Sequence, residues 1–210
     1  MVSSLPAKSY LEEAYVFYAS YHSDPTNKLI HILCVWPLVL TGAWINPFLR
    51  LFITFAGILF LSMTPELADL QVLHDSLPSY VKFNLGLIVS IIYVLYYLVI
   101  DFAGIAGLIS AGIVVAGYLA FAAWIQVNPT CWTYGIGVQV VGWAAQLYGH
   151  KVFEKRSPAL LDNLLQAVLM APLFVVMEVL FMFGHAPDFQ RRTSARASEN
   201  IRTYRAMKNK

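Results

Sequence analysis

Residues 21 to 31 read Tyr21-His22-Ser23-Asp24-Pro25-Thr26-Asn27-Lys28-Leu29-Ile30-His31, and they open the hydrophobic part of the chain. Ser23-Asp24-Pro25 breaks one helix and starts the next, because Asp24 is a good N-cap and Pro25 a good first helical residue. Upstream, residues 9 to 21 carry Tyr10, Leu11, Ala14, Tyr15, Phe17, Tyr18 and Tyr21. They predict a short aromatic helix lying at a membrane interface, where Tyr is favoured. Downstream, a helix over about 25–45 begins a series of apolar runs.

Asn46-Pro47 reads as a tight turn into a second apolar helix, roughly 48–63. Both are near the lower limit of ~17–25 residues for a span, so they either tilt or form a shallow re-entrant pair. Residues 64 to 82 are polar, with Pro65, Glu66, Asp69, Asp75 and Pro78, and predict the main extramembrane loop. Residues 83–100 and 103–125 are the clearest spans, separated by Asp101-Phe102. Gly104, Gly107, Gly112 and Gly117 predict close helix contacts in the second of them. Asn128-Pro129-Thr130 is a turn. A fifth helix, about 133–155, starts apolar and becomes charged, and a polar connection around Ser157-Pro158 leads to a sixth, about 160–183, bent or interrupted near Pro172. Beyond Gly184 the chain is basic, polar and expected to be mobile.

The fold class is therefore all-α, a polytopic membrane helical bundle of four to six membrane helices. Only 12% of the 210 residues are charged and 59% are hydrophobic, against about a quarter charged in soluble domains. The net charge of +2 hides an uneven distribution: seven of the 14 Lys and Arg lie between Arg191 and Lys210. Such a tail suits the anionic cytosolic leaflet, and an even number of spans puts both ends on that side. No recognition motif accompanies the charge, so no nucleic-acid partner is expected. The two cysteines, Cys34 and Cys131, form neither a disulfide framework nor a zinc ribbon. The first apolar run begins near Leu29, after Glu12 and Glu13, which does not match a cleavable signal peptide. There is no phosphate-binding loop and no dinucleotide glycine fingerprint, so no nucleotide cofactor is expected.

Ionisable groups beside hydrocarbon are expensive and suggest function. Three of the five histidines, His22, His31 and His150, lie at the two ends of the apolar region. On one continuous helix His22 and His31, nine residues apart, would face opposite ways. The break at Asp24-Pro25 allows the entry segment to fold back so that both rings face one point. The competing reading is an interfacial His22 and a hydrogen-bonded core His31. His150 and Glu154 are four apart on one helical face, with Gln146 one turn earlier. Glu154 and Gln146 are candidate catalytic residues, and Glu154 is also a candidate metal ligand beside His150 or a partner that orients it, although it could equally pair with Lys151 or Arg156 at the surface. Glu178, inside the sixth apolar run, either orients a histidine, meets an arginine or is protonated. Lys155 and Arg156 are candidates for binding a substrate carboxylate or, equally, a lipid phosphate. His74 and His185 read as solvated.

The segment Tyr21-His22 … Asp24-Pro25 … Asn27-Lys28-Leu29-Ile30-His31 resembles the N-terminal signature of the fungal 2-hydroxy fatty acid dioxygenases of the endoplasmic reticulum. A second signature runs Gly142-Trp143-Ala144-Ala145-Gln146-Leu147-Tyr148-Gly149-His150-Lys151-Val152-Phe153-Glu154-Lys155-Arg156-Ser157-Pro158-Ala159-Leu160. It continues as Asp162-Asn163-Leu164 and Ala171-Pro172 to Glu178. The resemblance covers roughly residues 10–185. It implies an Fe(II) enzyme that converts a long-chain 2-hydroxy fatty acid and O2 to the acid one carbon shorter, within phytosphingosine breakdown. It maps the family's functional histidines onto His22, His31 and His150. The chain departs from the family at Gln126-Val127-Asn128-Pro129-Thr130, which holds no histidine. The implied reaction, RCH(OH)COOH + O2 → RCOOH + CO2 + H2O, balances without a further reductant. On this reading residues 1–24 are an interfacial aromatic segment, 25–184 a membrane-embedded catalytic helical domain and 185–210 a basic cytosolic tail. The expected location is the endoplasmic reticulum membrane.

Two other readings compete. Di-iron membrane desaturases and hydroxylases need more histidines, in clustered motifs. A non-catalytic transporter or scaffold with structural histidines predicts no stoichiometric iron.

Overall fold

The computed structural model describes residues 7–41, 62, 78–101, 104–158 and 164–208. Among these the protein is all-helical: α1 (Ala7–Ala19), α2 (Pro25–Thr41), α3 (Leu85–Ile100), α4 (Ile105–Val127), α5 (Trp132–Gly149), a π-helical turn (His150–Glu154), α6 (Leu164–Met182) and α7 (Pro187–Lys208). The expected Asn46-Pro47 turn, the helix over 48–63 apart from Ser62, the loop up to residue 77, His74 and Asp162-Asn163 lie outside the described residues.

The start of α2 is the one its sequence predicts. Asp24 Oδ1 accepts from the backbone N–H groups of Thr26 and Asn27 at 2.8 and 3.2 Å, and Pro25 is the first helical residue. Asn84 caps α3 by accepting from Leu87 N at 3.0 Å. Asp101 accepts from Gly107 N at 2.8 Å, which ties the end of α3 to the start of α4. Three of the four α4-region glycines sit at close approaches. A Cβ on Gly104 would collide with the Asp101 carboxylate, one on Gly107 would lie 2.6 Å from Tyr97 O, and one on Gly117 2.5 Å from Leu40 Cδ2. Gly112 faces open space.

α6 lies at the centre and packs on α1, α2, α3 and α4. Its Met170, Leu173 and Phe174 are buried, as are Tyr15 and Tyr18 of α1 and Tyr93 and Tyr97 of α3. α6 continues through Pro172, and α2 through Pro37, without a break in the assigned helix. α2 also packs along α5, where Gln139 Nε2 donates to Leu38 O at 2.7 Å.

The aromatic N-terminal helix packs into the bundle, with Leu11, Tyr15, Tyr18 and Tyr21 buried. One expectation is corrected. The basic segment after Gly184 is not a loose tail but the 22-residue helix α7. α7 is bent 117° from α6. It returns across α1, burying Thr193 and Ala197 and pairing Arg192 and Arg196 with Glu12, and Arg196 also with Glu13. Those acidic partners are 180 or more positions away, beyond the reach of local pattern reading.

By length and composition α4, with 23 residues, is long and apolar enough to cross a membrane, while α3 is apolar but has 16. α3, α4 and α5 leave large apolar side chains exposed, among them Ile92 and Leu95, Leu108 and Val115, and Val140 and Val141. Exposed apolar surface on three successive helices calls for a cover of protein or lipid.

Candidate metal centre

His22, His31 and His150 meet inside the bundle, each buried. Their ring centroids are 4.3 Å apart for His22 and His31, 4.8 Å for His22 and His150, and 4.9 Å for His31 and His150. The chain break produces this meeting. Helix α1 ends at Ala19, and the turn through Ser20 and Tyr21 carries His22 back over the first two turns of α2, where His31 lies. His150 comes from the end of α5, where the backbone passes into the π-turn. Such turns are rare and cluster at functional sites.

Hydrogen bonds fix two tautomers. His22 Nδ1 lies 2.8 Å from Tyr18 O and His31 Nδ1 2.9 Å from Asn27 O. A carbonyl only accepts, so both Nδ1 atoms carry the proton and both Nε2 atoms keep their lone pairs. Each partner is four residues before its histidine, one helical turn earlier. His22 Nε2 and His150 Nδ1 are buried with no hydrogen-bond partner among the described residues. Burial, and then the neighbouring His31 and His150, holds the His22 imidazole well below its usual pKa. The neutral ring this favours is the form that binds a metal ion.

One ligand nitrogen from each ring lies within 4.8 Å of the others. Tetrahedral ligands at about 2.1 Å from one ion are about 3.4 Å apart, so the rings would close by up to about 1.4 Å to share it. Buried orphan nitrogens cost free energy when left bare, and a cation would satisfy them. The three histidines could hold a metal ion, and three protein ligands leave positions open for other molecules.

The candidate catalytic and binding residues surround this cluster in different roles. Glu154 does not join the imidazoles. Its Oε1 accepts from Ser23 N at 2.6 Å, Asp24 N at 2.8 Å and Asn27 Nδ2 at 3.2 Å, and its Oε2 from Ser23 Oγ at 2.8 Å. The carboxylate thus fastens the π-turn to the start of α2. Gln146 is buried one turn before His150, and its carbonyl accepts the His150 N–H. Glu178 accepts from Tyr15 Oη at 2.7 Å and pairs with Lys28 Nζ at 3.0 Å, so it meets a lysine and a tyrosine rather than the expected histidine or arginine. Lys155 closes the π-turn in the left-handed conformation, φ 54°, with its side chain exposed. Arg156 is already engaged: it donates to Ser20 O at 3.2 Å and lies over the rings of Tyr21 and Tyr204. His185 is part-exposed at the α6–α7 turn and is not one of the clustered histidines.

Sequence reading missed Tyr18 and Asn27. Tyr18 stacks on the His22 ring with centroids 4.2 Å apart, and its buried hydroxyl has no partner among the described residues. Asn27 is fully buried, and its Oδ1 is likewise unpaired. Their spacing of four from His22 and His31 was the available signal.

The model of the 2-hydroxy-palmitic acid dioxygenase Mpo1-like family matches residues 8–183. The chain belongs to the Mpo1-like family. Among curated proteins, this family member is 30% identical over 171 residues to the 2-hydroxy-palmitic acid dioxygenase MPO1 of Saccharomyces cerevisiae, covering 81% of this chain and 80% of the yeast protein. No solved structure matches it. All three clustered histidines lie within the matched region, as do Tyr18, Asn27 and Glu154.

Proposed function

We propose that the protein is an Fe(II)-dependent dioxygenase that converts long-chain 2-hydroxy fatty acids and O2 to the acid one carbon shorter, with release of CO2. The observation that carries this reading is the buried cluster of His22, His31 and His150, two of whose nitrogens have no hydrogen-bond partner among the described residues. Membership of a family named for a 2-hydroxy acid dioxygenase supplies the substrate class. A transporter or scaffold with structural histidines leaves those bare nitrogens without a purpose.

His22, His31 and His150 would hold the iron. Ferrous iron with open positions supplies a place where the 2-hydroxy acid and O2 can react together. The chain's own residues do the rest. Tyr18 O and Asn27 O fix the tautomers of His22 and His31. Glu154 holds the π-turn against α2 and so keeps His150 facing the other two rings. The buried Tyr18 hydroxyl and Asn27 Oδ1, which have no hydrogen-bond partner among the described residues, are groups that could meet a hydroxyl-bearing ligand. The apolar faces of α3, α4 and α5 suit a protein embedded in the bilayer its substrate occupies. On this reading it is a multi-pass protein of the endoplasmic reticulum membrane with the basic helix α7 on the cytosolic side.

The test is anaerobic Fe(II) reconstitution of detergent-purified protein, followed by O2 and 2-hydroxypalmitate, with mass spectrometry for pentadecanoic acid. Iron-dependent product that is absent from His150→Ala supports the reading. Iron bound without product points to a different lipid substrate and rejects the stated one.

A further inference from the structure

Arg156 joins the segments that carry two of the three imidazoles. Its backbone N–H reaches back to His150 O at 3.4 Å, across the left-handed residue Lys155 that ends the π-turn. Its guanidinium donates to Ser20 O at 3.2 Å and lies 3.5 Å from the ring centre of Tyr21, the residue before His22. A third element closes on the same group: Tyr204 of α7, its ring centre 4.1 Å from the guanidinium carbon. α7 touches this corner twice more. Asn200 Nδ2 donates to Ser20 Oγ at 3.1 Å, and Lys208 Nζ to Lys155 O at 3.4 Å.

From this geometry we infer that Arg156 is a positioning residue for the metal centre and that the C-terminal helix, through Tyr204, is the lock that holds it. A planar guanidinium can lie against aromatic faces while donating a hydrogen bond in its own plane. Arg156 does both, and so fixes the distance between the His22 turn and the π-turn of His150. α7 is anchored independently on α1 by the Arg196–Glu13 contact at 2.6 Å. The lock is therefore fastened at one end to α1 and at the other to the residues flanking two candidate ligands. Groups outside the ligands that orient them are worth about 10- to 100-fold in metal affinity. A brace that served folding alone would leave the geometry at the ion unchanged.

The inference rests on the metal reading above, and its test separates the two. Full-length protein in detergent is titrated with Co(II), and its affinity and visible absorption bands are recorded for the parent, Tyr204→Phe, Tyr204→Leu and Arg156→Lys. Tyr204→Phe keeps the ring face and behaves like the parent. Tyr204→Leu and Arg156→Lys bind Co(II) about 10- to 100-fold more weakly, with shifted bands and unchanged helical circular dichroism. Arg156→Lys keeps the charge and loses the planar face, so it reports on the stack even where Tyr204→Leu frays the end of α7. Parent-like affinity and bands in both Tyr204→Leu and Arg156→Lys overturn the inference alone. A folded parent that takes no Co(II) overturns the metal reading, and the inference with it.

Discussion

The Glu154 carboxylate takes both the backbone N–H and the hydroxyl of Ser23, at 2.6 and 2.8 Å, across 131 residues of chain. It joins the residue after His22 to the turn that begins at His150. Asp24 N and Asn27 Nδ2 donate to the same carboxylate. A negative group at the N-terminus of α2 is also favoured by the helix dipole.

Glu154→Ala removes the acceptor of four donors at once. The His22 turn then loses its tie to the π-turn, and metal affinity falls by about 10- to 100-fold. Glu154→Gln retains an acceptor oxygen and loses less. Equilibrium dialysis against Fe(II) under anaerobic conditions measures both. Parent-like affinity in Glu154→Ala would show that the tie has no bearing on the ion.

Gly149→Ala tests the packing beneath His150. Gly149 has ordinary helical angles, so alanine should gain up to about 1 kcal/mol in helix propensity. The added Cβ, however, collides with Asn27 Oδ1 and lies 3.2 Å from Ile30 Cδ1. Asn27 is fully buried and cannot step aside cheaply. The variant is expected to melt below the parent, whereas Gly137→Ala, with nothing within 4 Å of its Cβ, is tolerated. A Gly149→Ala protein as stable as Gly137→Ala contradicts the packing.

Glu178→Ala separates fold from site. It strips the acceptor from Tyr15 Oη and the partner from Lys28 Nζ. An unsatisfied buried donor costs about 1–3 kcal/mol, and the Lys28 share is small because its side chain is 31% exposed. Thermal melting should drop, and Glu178→Gln should recover part of it. The folded Glu178→Ala protein is expected to keep its metal affinity within a few-fold, since Glu178 bonds to none of the three clustered histidines. Loss of metal as complete as in His150→Ala would give Glu178 a direct part in the site.

Much of this was legible along the chain because it is local. Asp24-Pro25 announces the start of α2, and the runs expected at 83–100 and 103–125 are α3, Leu85–Ile100, and α4, Ile105–Val127. The convergence of His22 and His31 follows from the break between them. What stayed hidden depends on partners distant in sequence. Glu154 looked like a companion of His150, four residues away, but its donors are Ser23, Asp24 and Asn27. Arg156 looked available for a carboxylate, but Tyr21 and Tyr204 already flank it. The basic segment read as a loose tail because its neutralising partners, Glu12 and Glu13, lie at the opposite end of the chain.

The most direct test of the account is the iron content of the parent and of three single variants, His22→Ala, His31→Ala and His150→Ala. Each is loaded with Fe(II) without oxygen, desalted and analysed by mass spectrometry of the metal. The account predicts about one iron per parent chain and little in any variant, with helical circular dichroism retained in all four. A parent that holds no iron, or variants that hold as much as the parent, would contradict it.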